Sequence, residues 1–311
     1  MELCVELKYR QMFDDAFLDE SAEQGVTAIS APYDFVESTP KAVLKERAAA
    51  LLSRGIKILT AHPRFGKYNS ENSLVNQYAL QRLLYLEQLK DGLERMSILG
   101  VKAAPLHTGG ACLSVAPEWA LELCAESVRA VIPAAGDAGI ILTIENTFYP
   151  TPQCWDGGYG SDARPEQSAI LVYDDMGKLN RLIDGLASPY VKGCFDAGHA
   201  HYLGNLAADH KMMGDRIALY HIHDNSRDYD MHLAPGYGAL NWEMMGELIA
   251  GNTTDYVTYI EANPWMHGSY GHMIRETRAL LAGGRRGESR RCLDCGHLIL
   301  TDREGVFCAC G

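Results

Sequence analysis

Gly139-Ile140-Ile141-Leu142-Thr143-Ile144-Glu145 combines a glycine, a short apolar run and a carboxylate at its far end. The glycine suits the end of a helix, where the chain needs a positive φ before it extends into a strand. The same pattern recurs at Gly25-Val26, Gly55-Ile56 and Gly100-Val101, which open the runs Val26–Ser30, Ile56–Ala61 and Val101–Leu106. Leu3–Leu7, Val191–Phe195, Ile217–Tyr220 and Val257–Ile260 complete a set of eight with Ile140–Ile144. Between them, Phe13–Gln24, Lys41–Arg54, Leu74–Leu99 and Glu118–Ala135 carry apolar residues at helical spacing, with Leu83, Leu84, Leu86, Leu89 and Leu93 as the clearest face. Met176–Leu186, Leu206–Met213, Trp242–Ile249 and Met273–Leu281 continue the series, and Thr39-Pro40-Lys41 reads as an N-cap followed by a first-turn proline. Eight strand–helix units predict a (β/α)8 barrel, an α/β fold, over residues 1–282. The alternative is an open doubly wound sheet, but no Gly-x-Gly-x-x-Gly turn follows the first run, which continues into Tyr9-Arg10-Gln11.

The residues that end these runs point to chemistry. His62, His107, Glu145, Asp196, His221 and Glu261 follow the third to eighth runs in turn. In such a barrel, the C-terminal strand ends ring one mouth, where active sites form. All six are standard metal-ligand types. Three carboxylates packed together would repel one another, and a divalent cation reverses that sign. Asp196-Ala-Gly-His199 adds an imidazole three residues on, across a glycine expected to permit a sharp turn. Asp230-Met-His232 offers two donors for one ion from an extended loop, and His221 and His223 share one face of their strand. His201 and His210 read as rim or helix-surface residues.

The chain has 311 residues, 47% hydrophobic and 22% charged, with a formal net charge of −12. This is soluble-protein composition, and it gives no general pull towards nucleic acid or an anionic membrane. No apolar stretch is long enough for a membrane span, and the start lacks the basic and apolar regions of a secretory signal. Nine cysteines without a signal point to a reducing cytoplasm.

The segments Ala61-His62-Pro63, Leu106-His107, Ile144-Glu145-Asn146, Phe195-Asp196-Ala197-Gly198-His199, His221-Ile222-His223-Asp224, Asp230 to Gly238 and Ile260-Glu261 resemble the xylose-isomerase-like TIM barrel superfamily. That superfamily holds sugar isomerases and epimerases and also the endonuclease IV type of abasic-site nuclease. The resemblance implies that Glu145, Asp196, His221 and Glu261 hold the common metal, with His221 favoured over His223. It further implies that His62 and His107, with Glu145, and His199, Asp230 and His232 are additional ligands of the kind the trinuclear nucleases use. Gly-Tyr237-Gly stands where Gly-Glu-Gly is commoner in the family.

Two chemistries compete. The first is isomerisation or epimerisation of a sugar or polyol through an enediolate. It is assisted by a divalent metal (Zn, Mn, Mg and Co are not distinguished), with Glu145 and Glu261 as acid/base pair and His199 as a further catalytic group. His107, His223 and Trp155 would contact substrate, with Trp265 and Tyr237 as further stacking surfaces. The alternative is multinuclear zinc hydrolysis of abasic DNA. Few cations line the loops after the strands, which favours the carbohydrate and argues against a nucleic-acid partner.

After residue 282, the composition becomes polar and glycine-containing (283–290), and residues 291–311 crowd four cysteines together. Cys292-x2-Cys295 and Cys308-x-Cys310 predict a structural zinc in a ribbon-like module, with Leu298–Leu300 and Val306–Phe307 forming a hairpin between the pairs. Few basic residues within it favour a protein contact, such as one within a homo-oligomer.

Overall fold

The computed structural model describes residues 2–64, 73–112, 116–147, 169–171, 175–227, 230–262, 264, 267–284, 290–291, 298–302 and 305–307. The strands in chain order are β1 (Leu3–Glu6), β2 (Ala28–Ala31), β3 (Lys57–Ala61), β4 (Ala103–Leu106), β5 (Gly110–Cys112), β6 (Ile141–Glu145) and β7 (Ala169–Leu171). They continue with β8 (Val191–Asp196), β9 (Ile217–Ile222), β10 (Val257–Ile260), β11 (Arg290–Arg291), β12 (Leu298–Asp302) and β13 (Gly305–Phe307). Eight of them close a barrel in the order β1-β10-β9-β8-β6-β4-β3-β2, every pair parallel. β5 and β7 form a separate antiparallel pair. All eight apolar runs became barrel strands, and the glycine reading holds: Gly100 and Gly139 end helices at φ 84° and 67°.

The helices are α1 (Asp15–Glu23), α2 (Tyr33–Ser38), α3 (Lys41–Ser53), α4 (Ala79–Leu99), α5 (Pro117–Ala138), α6 (Met176–Leu186), α7 (Ala197–Leu203), α8 (Leu206–Met213), α9 (Trp242–Ala250) and α10 (Tyr270–Leu281). Strand alternation divides the core into two layers. Cys4, Ala28, Ala103, Cys194, Leu219 and Tyr259 pack together inside the barrel, while the larger cluster, including Leu3, Val5, Ile29, Leu142, Ile144 and Phe195, joins the strands to the helices. No helix among the described residues is long and apolar enough to cross a membrane.

Several expectations require correction. α4 starts at Ala79 rather than Leu74, and its buried face runs through Leu86, Leu89, Leu93 and Met96; Leu83 and Leu84 face solvent at 56% and 57% exposure. Pro40, rather than Thr39, occupies the N-cap position of α3. Asp196-Ala-Gly-His199 is no sharp turn: Asp196 caps α7, accepting the His199 backbone N–H, and the helix continues through Gly198. His210 is buried, with its Nε2 2.8 Å from the Tyr220 hydroxyl. In the tail, β12 pairs antiparallel with β13 at the expected hairpin, and Arg290–Arg291 pairs with β12. Cys292, Cys295, Cys308 and Cys310, the expected zinc ligands, lie outside the described residues, as does Trp155.

Candidate metal centre

Strand direction gathers the polar residues. β6 ends on Glu145 and β8 on Asp196; His221 lies near the end of β9, while His62, His107 and Glu261 directly follow β3, β4 and β10. Glu145 lies at the centre. Its Oε2 is 3.1 Å from His107 Nε2, 3.6 Å from His221 Nδ1 and 4.0 Å from His62 Nε2, and its Oε1 is 3.5 Å from His199 Nδ1. His221 Nδ1 lies 2.9 Å from Glu261 Oε2 and 3.8 Å from Asp196 Oδ2. Donor atoms of Glu145, Asp196, His221 and Glu261 all fall within 4.8 Å of one another, and so do those of His62, His107 and Glu145. Glu145 and Glu261 stand three strands apart around the barrel.

These atoms approach closely without satisfying one another. Glu145 Oε2, Asp196 Oδ2 and both ring nitrogens of His221 are buried, and none makes a hydrogen bond. Groups of this kind normally find hydrogen-bond partners when buried. Lone pairs of two carboxylates and an imidazole aimed at a shared space fit a divalent cation, whose charge would offset their mutual repulsion.

The electrostatics follow from this packing. Burial favours protonation of Glu145, but His221 and His107 more than offset it and hold its carboxyl well below the usual range. Burial acts the same way on Glu261, where His221 and then His232 hold it low. For His221, burial opposes the charge, and Cys194, Glu261 and Glu145 together carry its pKa well above the ordinary imidazole value. Cys194 is itself pushed up to about 12 by burial, so at neutral pH it faces His221 as a thiol and the carboxylates supply the negative charge. His62 behaves oppositely: burial, then His107, push it down to about 4. It is therefore a neutral donor, and its Nδ1, 2.9 Å from the Pro63 carbonyl, donates there and leaves Nε2 for a ligand.

A second group sits beside the first. Donor atoms of His199, His223, Asp230 and His232 lie within 4.8 Å of one another. The loop bearing Asp230 and His232 is not extended as expected: His232 has φ 46°, a left-handed conformation that brings its Nε2 to 2.8 Å from Asp230 Oδ2. Burial opposes charge on His232, but Asp230 and then Glu261 carry its pKa up to about 10. Asp230 is held well below the carboxylate range by His199 and His232, against burial.

The structure shows two contributors that the sequence reading missed. Asp224 is fully buried and accepts hydrogen bonds from the backbone of Asn225, Gly236 and Leu240 and from Trp242 Nε1, closing the loop that carries Asp230 and His232. Its signal was the acid three residues after His221. Cys194 packs under His221 and forms a candidate donor group with it and Glu145; its signal was the position two residues before Asp196, on the same strand face. Tyr237, expected as a stacking surface, is buried and packs edge-on against His267 with ring centroids 5.0 Å apart.

A closed parallel barrel with carboxylates and imidazoles converging at its C-terminal mouth defines a TIM-barrel protein with the donor chemistry of a divalent-cation centre. The chain belongs to the xylose isomerase-like TIM barrel family, which it matches over residues 18–283. It is similar in structure to 3-keto-D-glucoside 4-epimerase YcjR from E. coli, with TM-score 0.69 and 15% identity over 90% of this chain and 99% of that one. It is also similar to the IolI protein solved with a bound zinc atom, with TM-score 0.67 and 15% identity over 92% and 100% of the two chains. An uncharacterised protein, y4fM of Sinorhizobium fredii, is 38% identical over 80 residues, and this match spans a quarter of either chain.

Proposed function

We propose that the protein is a divalent-metal-dependent isomerase or epimerase of a sugar or sugar-like polyol, with Glu145, Asp196, His221 and Glu261 as metal ligands. The observation that carries this reading is the set of buried, hydrogen-bond-free donor atoms shared by Glu145, Asp196 and His221 beside Glu261. A divalent cation bound there would supply Lewis-acid polarisation of neighbouring carbonyl and hydroxyl oxygens, acidifying the carbon-bound proton between them. Glu145 and Glu261 are held ionised, as proton acceptors must be, and they reach the mouth from separate strands. One carboxylate removes the proton from carbon and, now a carboxylic acid, returns that proton or one exchanged from solvent at the neighbouring carbon; return on the opposite face falls to the other carboxylate once it has taken up a proton from solvent. His199 and His107 orient substrate oxygens. Sugar epimerases among the structural relatives, a 3-keto-D-glucoside 4-epimerase and a D-psicose 3-epimerase, support a carbohydrate substrate. Residues 283–290 link the barrel to a tail in which Cys292, Cys295, Cys308 and Cys310 hold a structural zinc.

Incubation of the metal-loaded protein with a panel of ketoses and keto-glycosides in D2O tests the reading. Deuterium should enter one carbon of a turned-over sugar, and Glu261→Gln should abolish the exchange. A panel with no exchange, or a Glu261→Gln variant with full exchange, refutes it.

The additional donors His62, His107, His199, Asp230 and His232 favour a second reading, multinuclear phosphodiester hydrolysis at abasic DNA sites. Cleavage of an abasic duplex by the same preparation, without sugar exchange, would establish it.

A further inference from the structure

The ring of polar residues at the barrel mouth extends one strand beyond the donors described above. β1 contributes Glu6, its last residue. Cys4 packs inside the barrel, and Glu6, two residues on, faces the same way. Cys4 pairs with Tyr259 and Val5 with Ile260, so the register carried on by one residue sets Glu6 beside Glu261. Neighbouring strands lie about 4.7–4.9 Å apart, which brings these two side chains to one level of the mouth. Glu6 also stands in register with Ser30 of β2. Ser30 is buried, whereas the Glu6 side chain is 31% exposed, and an inward-facing residue at a strand end meets solvent through the mouth.

The Glu6 carboxylate is held at both oxygens. Oε2 accepts the Tyr259 hydroxyl at 3.2 Å, and Tyr259 is a buried ring packed edge-on against His221, with centroids 5.2 Å apart. Oε1 accepts Lys8 Nζ at 2.9 Å. The Lys8 backbone is fixed in turn, its N–H donating to Gln11 Oε1 at 2.7 Å. A carboxylate and an ammonium side by side offer an acceptor and donors at one place. A sugar hydroxyl is itself donor and acceptor, so it can donate to Glu6 and accept from Lys8. A phosphate monoester carries a charge of about −1.5 to −2 at pH 7 and brings mainly acceptors. It would meet Glu6 and Glu261 on adjacent strands, with the charge of Lys8 already matched by Glu6.

We propose that Glu6, paired with Lys8, is a specificity-determining residue that binds a substrate hydroxyl beside the metal centre and selects an unphosphorylated sugar or polyol. The inference deepens the isomerase or epimerase reading above and rests on it. The reacting carbons lie at Glu145 and Glu261, and Glu6 with Lys8 takes a hydroxyl further along the carbon chain. That contact is the same in the ground state and the transition state. Its loss therefore raises KM and leaves kcat in place.

The test is the initial rate of deuterium exchange by metal-loaded wild type, Glu6→Gln and Lys8→Met, with the ketoses of the panel above and their terminal phosphate esters as probes. Wild type should favour a ketose over its ester by at least about tenfold in kcat/KM. Glu6→Gln keeps an acceptor for Tyr259 but removes the charge. It should raise KM for the ketose about tenfold, hold kcat within about twofold and narrow the preference over the ester. Metal content equal to wild type separates this loss from damage to the metal centre. Lys8 is 58% exposed, so Lys8→Met probes the pair without threatening the fold. It should also raise KM but widen the preference, because it leaves the Glu6 charge unmatched. A wild type that turns over the ester as well as the ketose, or variants with unaltered KM and preference, overturns the role of Glu6 and leaves the metal-dependent reading standing. Absence of exchange with every probe overturns both.

Discussion

Asp196 Oδ1 accepts the backbone N–H of His199 at 2.7 Å, while Oδ2 is buried without a hydrogen bond and lies 3.8 Å from His221 Nδ1. One oxygen starts α7 and the other faces the candidate metal centre, so the helix cap sets the direction of the proposed ligand. Asp196→Asn retains an acceptor for the cap but places an N–H2 where a lone pair is needed. The variant should fold normally and bind metal at least about tenfold more weakly. Asp196→Ala should also lose the cap, at a further cost of about 1 kcal/mol. Metal titration and thermal melting of the two variants separate the effects, and an asparagine variant with unaltered metal affinity would exclude Asp196 as a ligand.

Asp224 serves the centre without pointing into it. Its carboxylate gathers donors at 2.8 to 3.0 Å from Asn225, Gly236, Leu240 and Trp242. Gly238 allows this packing, since a Cβ there would lie 2.4 Å from Asp224 Oδ1. Asp224→Asn turns an N–H2 towards one of these donors and weakens bonds to a charged acceptor. The expected loss is about 2–3 kcal/mol of stability, with a change in Trp242 fluorescence and a looser Asp230 loop. A melting temperature equal to that of wild type would show that the loop is held by other contacts.

Cation loading should expel protons. His199, His221 and His232 are each raised above the ordinary imidazole value without a cation: burial opposes the charge in all three, but Asp196 and Asp230 raise His199, Cys194, Glu261 and Glu145 raise His221, and His232 reaches about 10. At pH 7 they are therefore protonated before the metal arrives, and ligation requires the neutral ring. Zinc binding should release more than one proton per chain at pH 7, and affinity should rise with pH through this range. Calorimetry in buffers of differing ionisation enthalpy measures the release directly. A buffer-independent heat would mean that the imidazoles are already neutral or do not ligate.

The barrel was legible because its signals are local. Each apolar run lies within one strand, and residues such as Glu145 and Asp196 are ligand types at places where the strand must end. Register gave six ligand-type residues at strand ends, and the resemblance picked out Glu145, Asp196, His221 and Glu261 among them as the proposed common metal set. What stayed hidden depends on contacts between distant segments. Gly198 looked like a turn residue because glycine often is one; its requirement comes from His223, twenty-five residues on, which excludes a Cβ. Leu83 and Leu84 fit the helical period but lie on the side of α4 away from the barrel, which periodicity alone does not distinguish. His210 looked like a surface residue because its partners, Phe195 and Tyr220, come from β8 and β9.

That histidine yields a prediction about stability and pH. Asn252 Nδ2 donates to the Tyr220 hydroxyl at 2.9 Å, and the hydroxyl in turn donates to His210 Nε2, which requires the neutral ring. Burial lowers the His210 pKa below its ordinary value. The unfolded chain therefore takes up a proton first as the pH falls, and this contribution to stability is complete above about pH 6.5 and declines below it towards the folded pKa. Protonation would also set two donors against one hydroxyl oxygen. Zinc-loaded protein should lose denaturant stability from pH 7.5 to 5.5, and His210→Gln should reduce that slope. Tyr220→Phe should cost about 1–2 kcal/mol at pH 7.5, because it leaves His210 and Asn252 without their shared partner. Equal slopes for wild type and His210→Gln would mean that the pH dependence originates elsewhere.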